Sequence, residues 1–586
     1  MAAARLVAAA ALLLLQVGAN TAPHATEEEA TAWQAKQAAA EVAAGSESTL
    51  MPPLAADEWY TVTIADASVG YMNTVVKTTD DHVSTMEVMD VQVSRGTDTS
   101  RMAFETVFEE TPLVASEPAD LPEELRKRGG VSVMAYDQRF ANSEVKMHVL
   151  FTGPGIVLTS YNGEKEHVSE MELPDEAWRG RMRARLEFTR QCRQGEREII
   201  VQTMRPELGP RVVNLTSTFV GVGPVWDGEK DVEASLWTVQ ISDVPVNMSE
   251  AYPISGPLRC YRMLQMGLDM PFGHLLAALS DKESALKAAE DDPNRKLPEL
   301  VYAMFAPLSK QIHNVYDARM VKIQVRVKQD KTAKLDLPSG GYQKVVPAKG
   351  VANELEVTVD LQAPRRATST ELADPEYLAP SAMVDNSDEV VIQLSHTVDD
   401  QLRTSGHKVP RMGEEGKLTS AAERELAFAL RDMVHLHISS KHLSTAYASA
   451  SETARTGSGD CTEHAVLLAA VLKARKIPSR VCHGLVYVEQ GGSAISGEAT
   501  VGADGQVTPG GEEPGGQFGW HMWTQGLVNG KWMDLDATLH VPYSVGHVLV
   551  GTSSMSDKEA HNNHMQMAAL IGNIEMDLLD VSHEWR

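Results

Sequence analysis

Cysteine is scarce in this chain, with only four among 586 residues. Four cysteines are too few for a disulfide scaffold, the framework that holds together small secreted domains with little core. Cys192 and Cys260 could pair in an oxidising compartment, but the sequence alone does not decide it. Cys461 and Cys482 lie much later in the chain, in a segment with a different pattern.

The common metal and nucleotide motifs are missing as well. No CxxC pair and no HExxH pattern occurs, so the sequence offers no familiar zinc site. It contains no EF-hand loop and no glycine-rich phosphate-binding motif. We therefore predict no metal and no cofactor for this protein.

Positive charge is in the minority, with 53 Lys and Arg against 80 Asp and Glu, for a net charge of -27. Such a chain repels nucleic acids and anionic membrane surfaces at long range, so we expect no nucleic-acid partner. Beyond the N-terminus no apolar run approaches the 18 or so residues of a membrane-spanning helix. We expect no integral membrane segment in the mature protein.

The N-terminus has the pattern of an export signal. Arg5 precedes an apolar run from Leu6 to Leu15, and small residues follow at 17–19. This predicts a secretory signal peptide at 1–19 and a secreted or extracytoplasmic protein. An uncleaved N-terminal anchor is the alternative, but the run is short for it.

The chain is long enough for several domains. Strict alternation of apolar residues, as in Tyr60–Ile64 and Val145–Phe151, predicts antiparallel strands, whereas the Ala, Leu and Lys content of 275–289 predicts helix. After the signal, the predicted order is an Ala/Glu-rich spacer (20–56), a β-rich domain (57–255), a helical segment (256–312), a small β-sandwich-like domain (313–365), a linker (366–390) and a mixed α/β region (391–586).

One cysteine stands at the start of a predicted buried helix, in the sequence GSGDCTEHA at 457–465. Asp460 is a typical N-cap, and Glu463 completes a capping box. Cys461 then occupies the first helical position, where the helix dipole favours a thiolate. A small buried side chain without chemistry is the alternative for this cysteine, and the motif alone leaves both open.

A base and its orienting carboxylate are predicted further along the chain. Asn529-Gly530 is a strong signal for a two-residue hairpin loop. Counting back from that loop places His521 and Asp536 on one face as diagonal neighbours. Asp534 shares the face but lies a further step from His521, so the geometry favours Asp536.

Three segments resemble the transglutaminase-like superfamily: GDCTEHAVLLAAVLKARKIPSRVCHGLVYV, FGWHMW and GKWMDLDATL. The resemblance is specific within about 415–550 and is closest to bacterial-type members with long β-rich N-terminal regions. It implies a papain-like α+β fold in which Cys461 is the nucleophile, His521 the general base and then acid, and Asp536 the residue that orients the imidazole. Calcium use, known in some transglutaminases, is not expected here because no ligand loop occurs.

The predicted fold class is therefore a multidomain chain, in which a β-rich N-terminal region and a β-sandwich-like module precede an α+β papain-like, transglutaminase-like catalytic domain at 391–586. One departure from related sequences is the long Gly-, Glu- and Ser-rich segment between Glu489 and Phe518. Its composition favours a disordered insertion over a lid.

The predicted function is that of a secreted thiol enzyme that performs acyl transfer or hydrolysis at the amides of a protein or peptide substrate. A cysteine protease or amidase of the same fold is the close alternative. A non-catalytic ligand-binding or adhesion protein, working through the N-terminal β region, is an alternative of another class. The oligomeric state is not predicted.

Overall fold

The computed structural model describes residues 55–95, 98–112, 127–140, 143–152, 155–162, 165–242, 244–270, 273–290, 292, 295, 297, 305–328, 336–348, 354–410, 418–440, 448–488, 516–557 and 574–584. The predicted signal peptide, nearly all of the predicted spacer and most of the Gly-rich segment after Glu489 lie outside these residues. Within the described ranges, no helix combines the length and the apolar character that crossing a membrane requires.

The first large element is an antiparallel sheet of 14 strands. In chain order its strands are β1 Ala56–Ile64, β2 Ala67–Thr78, β3 Val83–Arg95, β4 Asp98–Glu110, β5 Val131–Phe140, β6 Ser143–Phe151, β7 Ile156–Asn162, β8 Lys165–Met171, β9 Glu198–Met204, β10 Val212–Trp226, β11 Asp231–Ile241, β12 Val244–Pro253, β13 Gln265–Met270 and β14 Gly273–Ser280. Their spatial order is β8-β7-β6-β5-β4-β3-β2-β1-β14-β13-β12-β11-β10-β9. Two meanders therefore meet where β1 pairs with β14.

Alternation of side chains explains why this sheet has one buried face. In β1, Tyr60, Val62 and Ile64 are buried while the residues between them are only half-buried, as a period of two requires. Helix α1, Arg181–Arg193, packs on the sheet through ion pairs. One joins Arg185 to the buried Glu58 at 3.0 Å.

The end of α1 is tied to the sheet region by a disulfide between Cys192 and Cys260, whose Cα atoms are 6.0 Å apart. The sequence left this pairing open, because 68 residues separate the two cysteines. The fold brings them together because α1 packs close to the segment that follows β12.

The second large element is a nine-stranded sheet. Its strands are β15 Phe305–Leu308, β16 Met320–Val327, β17 Gln343–Pro347, β18 Glu354–Asp360, β19 Ser479–Val488, β20 Gly516–Val528, β21 Lys531–Leu535, β22 His547–Ser553 and β23 Ile574–Ser582. Their order is β17-β18-β16-β23-β15-β20-β19-β22, and β21 pairs with β20.

Helices on this sheet complete the C-terminal α+β domain. The short helix α2, Lys282–Ala288, belongs to the first sheet, where it contacts β1 and β2. The helices of the C-terminal domain are α3 Ser369–Ala373, α4 Glu389–Ser395, α5 Asp399–Thr404, α6 Ser420–His437, α7 Ala450–Thr456 and α8 Cys461–Ala474. Almost every residue of α8 is buried, because it packs against β19 and β20 on one side and against α4, α6 and α7 around it. The predicted fold class, a β-rich N-terminal region before an α+β domain, is confirmed.

The predicted helical segment at 256–312 is wrong over most of its length. Residues 275–280 belong to strand β14, and helix begins only at Lys282. The run from Leu275 to Leu279 is apolar, and such a short run is compatible with either structure. Pairing with β1 and β13 decides for strand, with Leu275, Ala277 and Leu279 buried.

Residues 313–365 and 366–390 are also more tightly integrated than predicted. Strand β16 pairs with β23 near the C-terminus, where Val321 lies opposite Val581, so the small β domain is part of the second sheet. The predicted linker forms α3 and packs on the same domain. There Trp532 Nε1 donates a hydrogen bond to Glu371 at 3.0 Å. The strand pairing and the side-chain hydrogen bond both join residues far apart in the sequence, so periodicity does not reveal them.

Candidate active site

Cys461 begins helix α8 behind the capping box that the sequence predicted. Asp460 accepts a hydrogen bond from the backbone N–H of Thr462 at 3.0 Å, and Glu463 accepts one from the Asp460 N–H at 3.0 Å. Gly459 has a φ of 153°, and a Cβ there would lie 2.3 Å from Glu463 Cβ, so this position requires glycine. These contacts hold the thiol at the positive end of the helix dipole.

The hairpin that follows has the predicted register. Val528 pairs with Lys531 across Asn529 and Gly530, whose φ values are 53° and 72°. Positive φ at both loop positions is what a type I′ turn needs. Strand β21 ends at Leu535, so the next residue, the predicted carboxylate, lies just beyond the ladder.

The hairpin brings together the two residues that this register placed side by side. His521 Nε2 donates a hydrogen bond to Asp536 Oδ2 at 2.7 Å, and both side chains are buried. Asp534 is engaged elsewhere, because it accepts hydrogen bonds from Trp523 Nε1 at 2.8 Å and from Gln525 Nε2 at 2.7 Å. Asp536, and not Asp534, is therefore the carboxylate that contacts the imidazole.

The thiol completes the group. The thiol of Cys461 and the imidazole of His521 lie close enough for each to act on the pKa of the other. Because Nε2 of that ring faces Asp536, Nδ1 is the nitrogen left for the thiol. With 8% of its surface exposed, Cys461 lies at the edge of the buried core. The three residues singled out from the sequence thus lie in one site, with His521 hydrogen-bonded to Asp536.

The charges of these three groups reinforce one another. Burial acts to lower the pKa of His521, but the adjacent Asp536 carboxylate outweighs it and raises that pKa to about 10. Burial and Asp460 act to raise the pKa of Cys461, yet the adjacent His521 side chain acts against them, and that pKa lies below its usual value. Burial would raise the pKa of Asp536, but the positive charge of His521 brings it well below the usual range. Both directions, for Cys461 and for His521, favour the charged pair, a thiolate beside an imidazolium, over the neutral pair.

The backbone around Asp536 is held by Arg431, a buried residue of α6. Its Nε donates to the Asp536 carbonyl at 2.6 Å, and its Nη2 donates to the carbonyls of Leu539 and Val541. The N–H of Thr538 donates to Asp536 Oδ1 at 2.7 Å. Sequence reasoning missed Arg431; the available signal was an arginine next to the apolar stripe of a predicted helix.

A second histidine, His547, was also missed, because no spacing rule links it to the hairpin. It begins β22, is fully buried, and its Nε2 lies 3.0 Å from Asp536 Oδ2. In the part of the chain that the structure describes, His521, Asp536 and His547 are a set of metal-ligand types with donor atoms within 4.8 Å of one another. The separations of 2.7 and 3.0 Å to Oδ2 are shorter than the ~3.3 Å expected between two ligands of a tetrahedral zinc with bonds of about 2.0 Å. We therefore assign the group as a hydrogen-bond network.

A separate cavity of about 310 Å³ lies on the first sheet, with walls from β1 to β5. Trp59 lines it, whereas the preceding Glu58 contacts α1, so the cavity is on the sheet face away from that helix. The rings of Trp59 and Tyr71 lie 5.4 Å apart and form an aromatic wall. Trp59 Nε1 and Asp137 Oδ1 are buried there without a hydrogen-bond partner among the described residues.

The fold and the site together define an α+β domain in which Cys461 begins a buried helix near the hydrogen-bonded pair of His521 and Asp536. Residues 412–537 match the model of the transglutaminase-like superfamily, so this part of the chain is a transglutaminase-like domain. That match includes Cys461, His521 and Asp536, and it agrees with the resemblance seen in the sequence. The superfamily consists of cysteine-dependent enzymes, and at that coarse level the domain is an enzyme domain.

Comparison with whole proteins adds little. No curated protein matches the chain. One similar solved structure is that of a candidate cysteine protease from Cytophaga hutchinsonii, with 14% sequence identity over 45% of this chain and 86% of its own length, and a TM-score of 0.21. A TM-score that low carries no information about the activity of this chain.

Proposed function

We propose that the C-terminal domain catalyses acyl transfer or hydrolysis at protein or peptide amides. The observation that carries the proposal is Cys461 at the start of a capped helix, beside the buried His521 and Asp536, whose side chains are 2.7 Å apart. A thiolate nucleophile, a base in contact with it and a carboxylate that orients the base are the parts that covalent amide chemistry needs.

The proposed reaction has two halves. The Cys461 thiolate attacks the amide carbonyl carbon, and the backbone N–H of Cys461, at the helix N-terminus, is the expected donor to the developing oxyanion. The C–N bond breaks as the His521 imidazolium gives its proton to the leaving ammonia or amine, which leaves a thioester. His521 then takes a proton from the attacking amine or water, the C–S bond breaks, and the thiolate is restored. Asp536 keeps the imidazole in one tautomer and stabilises its positive charge.

Substrate assays on the purified protein test the proposal. Peptides containing glutamine are incubated with a primary amine, and the products are identified by mass spectrometry beside Cys461→Ala. Amine incorporation would indicate transfer, loss of ammonia would indicate hydrolysis of side-chain amides, and cleavage of the chain would indicate a protease. If wild type and Cys461→Ala give the same products at the same rate across the peptide set, the proposed function is wrong.

Export of the protein is the second part of the proposal. The charged and apolar N-terminal residues, Arg5 followed by Leu6–Leu15, support a signal peptide. The Cys192–Cys260 disulfide supports an oxidising compartment. Expression of the full chain in a secreting host, followed by N-terminal sequencing, tests it. We expect a mature N-terminus near residue 20, and an intact Met1 in the cytosolic fraction would contradict export.

Ligand binding by the N-terminal region is a second candidate function, favoured by the cavity on the first sheet. The unpartnered Trp59 N–H and Asp137 carboxylate oxygen, beside an aromatic wall, suit a neutral ligand with donors and acceptors, such as a saccharide. Titration of oligosaccharides against intrinsic tryptophan fluorescence tests this, with Asp137→Ala as the variant expected to lose the response. A response unchanged in Asp137→Ala would exclude this cavity as its source.

A further inference from the structure

We propose that His547 is a positioning residue for the proposed enzyme. It fixes the Asp536 carboxylate in the orientation that holds His521 against the Cys461 thiol. The inference rests on the proposed function, because it assigns His547 a role in the same site. His547 itself does not contact the reacting atoms in this assignment, since it acts through Asp536.

The two imidazoles bind the same carboxylate oxygen. Oδ2 of Asp536 accepts from His521 Nε2 at 2.7 Å and from His547 Nε2 at 3.0 Å. Oδ1 accepts from the Thr538 N–H at 2.7 Å. Three donors from three parts of the chain therefore define the plane and rotation of one carboxylate. Asp536 is fully buried, so water cannot readily replace a donor that is lost.

His547 is held more firmly than filling space would require. Its ring stacks on Tyr543 with centroids 4.2 Å apart, and Trp523 meets it edge-on at 5.0 Å. Its Nδ1 lies 3.0 Å from the Ser544 carbonyl and 3.3 Å from the Ser544 hydroxyl. The residue also pairs with Val486 in the sheet. A ring fixed on both nitrogens and on its face can pass a defined position on to the carboxylate.

Loss of the His547 hydrogen bond should loosen the Asp536 carboxylate. The carboxylate could then rotate about its side-chain bonds, and His521 would sample orientations in which Nδ1 no longer faces the thiol. The consequence is a smaller fraction of Cys461 in the activated state, and hence slower reaction of the thiol. A side chain that fills the space of His547 but has no hydrogen-bond donor would not restore the fraction of activated Cys461.

The test compares alkylation of Cys461 by iodoacetamide, followed by mass spectrometry at neutral pH, in two replacements of one residue. His547→Gln keeps an N–H donor on a side chain of comparable length, whereas His547→Leu fills the space without a donor. We expect His547→Leu to react about tenfold more slowly than wild type, and His547→Gln to stay within about threefold. Val548→Ala is the matched control. It removes buried side-chain volume next to His547 in the same strand, and successive side chains of a strand point to opposite faces.

The outcomes separate this inference from the proposed function. If wild-type Cys461 shows no dependence on His521 when His521→Ala is tested in parallel, the proposed function fails whatever His547 does. If the dependence is present and His547→Leu reacts as fast as wild type, the positioning role is overturned. Slowing of Val548→Ala to the level of His547→Leu would also overturn it, because general loosening would then explain the effect.

A measurement on wild type covers the case in which His547→Leu does not fold. Histidine ¹⁵N NMR of the intact protein reports which ring nitrogens carry protons. We expect a protonated Nε2 on His547 whose resonance shifts in Asp536→Asn. An Nε2 without a proton would overturn the inference, since His547 could not then donate to the carboxylate.

Discussion

The two free cysteines both lie buried in the C-terminal domain, yet the groups around them differ. Both are buried, Cys461 with 8% and Cys482 with 0% of its surface exposed. Cys461 begins a helix, and the adjacent His521 side chain acts to lower its pKa, which lies below the usual value despite burial. Cys482 lies within strand β19, packed against Trp523 and Leu549, and burial raises its pKa well above the usual value. Burial alone therefore does not decide the chemistry of a thiol; its donors and charges do.

The two aspartates of the hairpin repeat the comparison. Asp534 and Asp536 are two residues apart and both buried. Asp534 accepts hydrogen bonds from neutral donors, among them the N–H of Tyr342 at 2.9 Å, and burial raises its pKa. The pKa of Asp536 is lowered, against its burial, because His521 is its partner. The partner, rather than depth in the core, distinguishes a charged orienting carboxylate from a structural one.

The largest effect on the reaction rate is expected when each free cysteine is replaced by alanine in a separate variant. Cys461→Ala removes the nucleophile and should reduce product formation by at least about a thousandfold. Cys482→Ala removes one small buried side chain and should leave the rate within about threefold while costing roughly 1 kcal/mol of stability. Product formation and thermal melting of both variants give the comparison. Equal loss of activity in both would mean that Cys461 is not special.

The next effect separates the two aspartates. Asp536→Asn should lower the pKa of His521 and slow the reaction on the order of a hundredfold or more, because the imidazolium loses its counter-charge. Asp534→Asn should leave the rate near wild type and lower the free energy of unfolding by about 1–3 kcal/mol through its buried hydrogen bonds. Steady-state rates and urea unfolding measure both. A rate loss confined to Asp534→Asn would reverse the assignment.

Arg431 offers a smaller effect of the same kind. Arg431→Met leaves three loop carbonyls without their donor, so we expect lower stability and alkylation of Cys461 slowed by about three- to tenfold. Arg475→Met is the matched control, because the Arg475 side chain is only 5% exposed and pairs with Asp399 at 2.8 Å, but it makes no hydrogen bond to the Asp536 loop among the described contacts. It should lose stability and keep the alkylation rate. Equal slowing in both variants would reduce Arg431 to a stabilising residue.

The smallest predicted effect is the pH dependence of stability. The lowered pKa of Asp536 means that its contribution is present above about pH 4, the unfolded value, and is lost as pH falls through the folded one. The pKa of His521, raised to about 10, means that its contribution is complete below about pH 6.5 and is lost as pH rises toward 10. Urea unfolding should show the stability advantage of wild type over Asp536→Asn to be greatest between these limits. An advantage that is constant from pH 3 to pH 10 would contradict the pairing.

The sequence was most informative where the structure depends on local chemistry. The capping box at Asp460 and the Asn529-Gly530 loop each specify a geometry within a few residues, and together they identified the helix-start cysteine and the hairpin pair. His547 and Arg431 reach Asp536 from a separate strand and a separate helix. Only the folded chain brings them there, and no spacing rule could have revealed them.

Prediction of whole strands from the sequence was limited in the same way, by contacts between distant residues. Alternation identified β1 because Tyr60, Val62 and Ile64 point to one face. It failed at β14, where an unbroken apolar run hides the period of two and the composition favours helix. It also could not show that β16 pairs with β23 at the other end of the chain. Partners distant in sequence decide such pairings.

Iodoacetamide labelling of wild type and His521→Ala across pH shows whether His521 activates Cys461. Cys461 and Cys482 are followed separately by mass spectrometry. Cys461 should react well below the pH of about 8.5 at which an ordinary thiol ionises, and should lose that reactivity in His521→Ala. Cys482 should stay unlabelled in both folded proteins. If Cys461 does not react, or reacts identically without His521, then His521 does not activate the thiol, and the function would have to be sought in the N-terminal sheet.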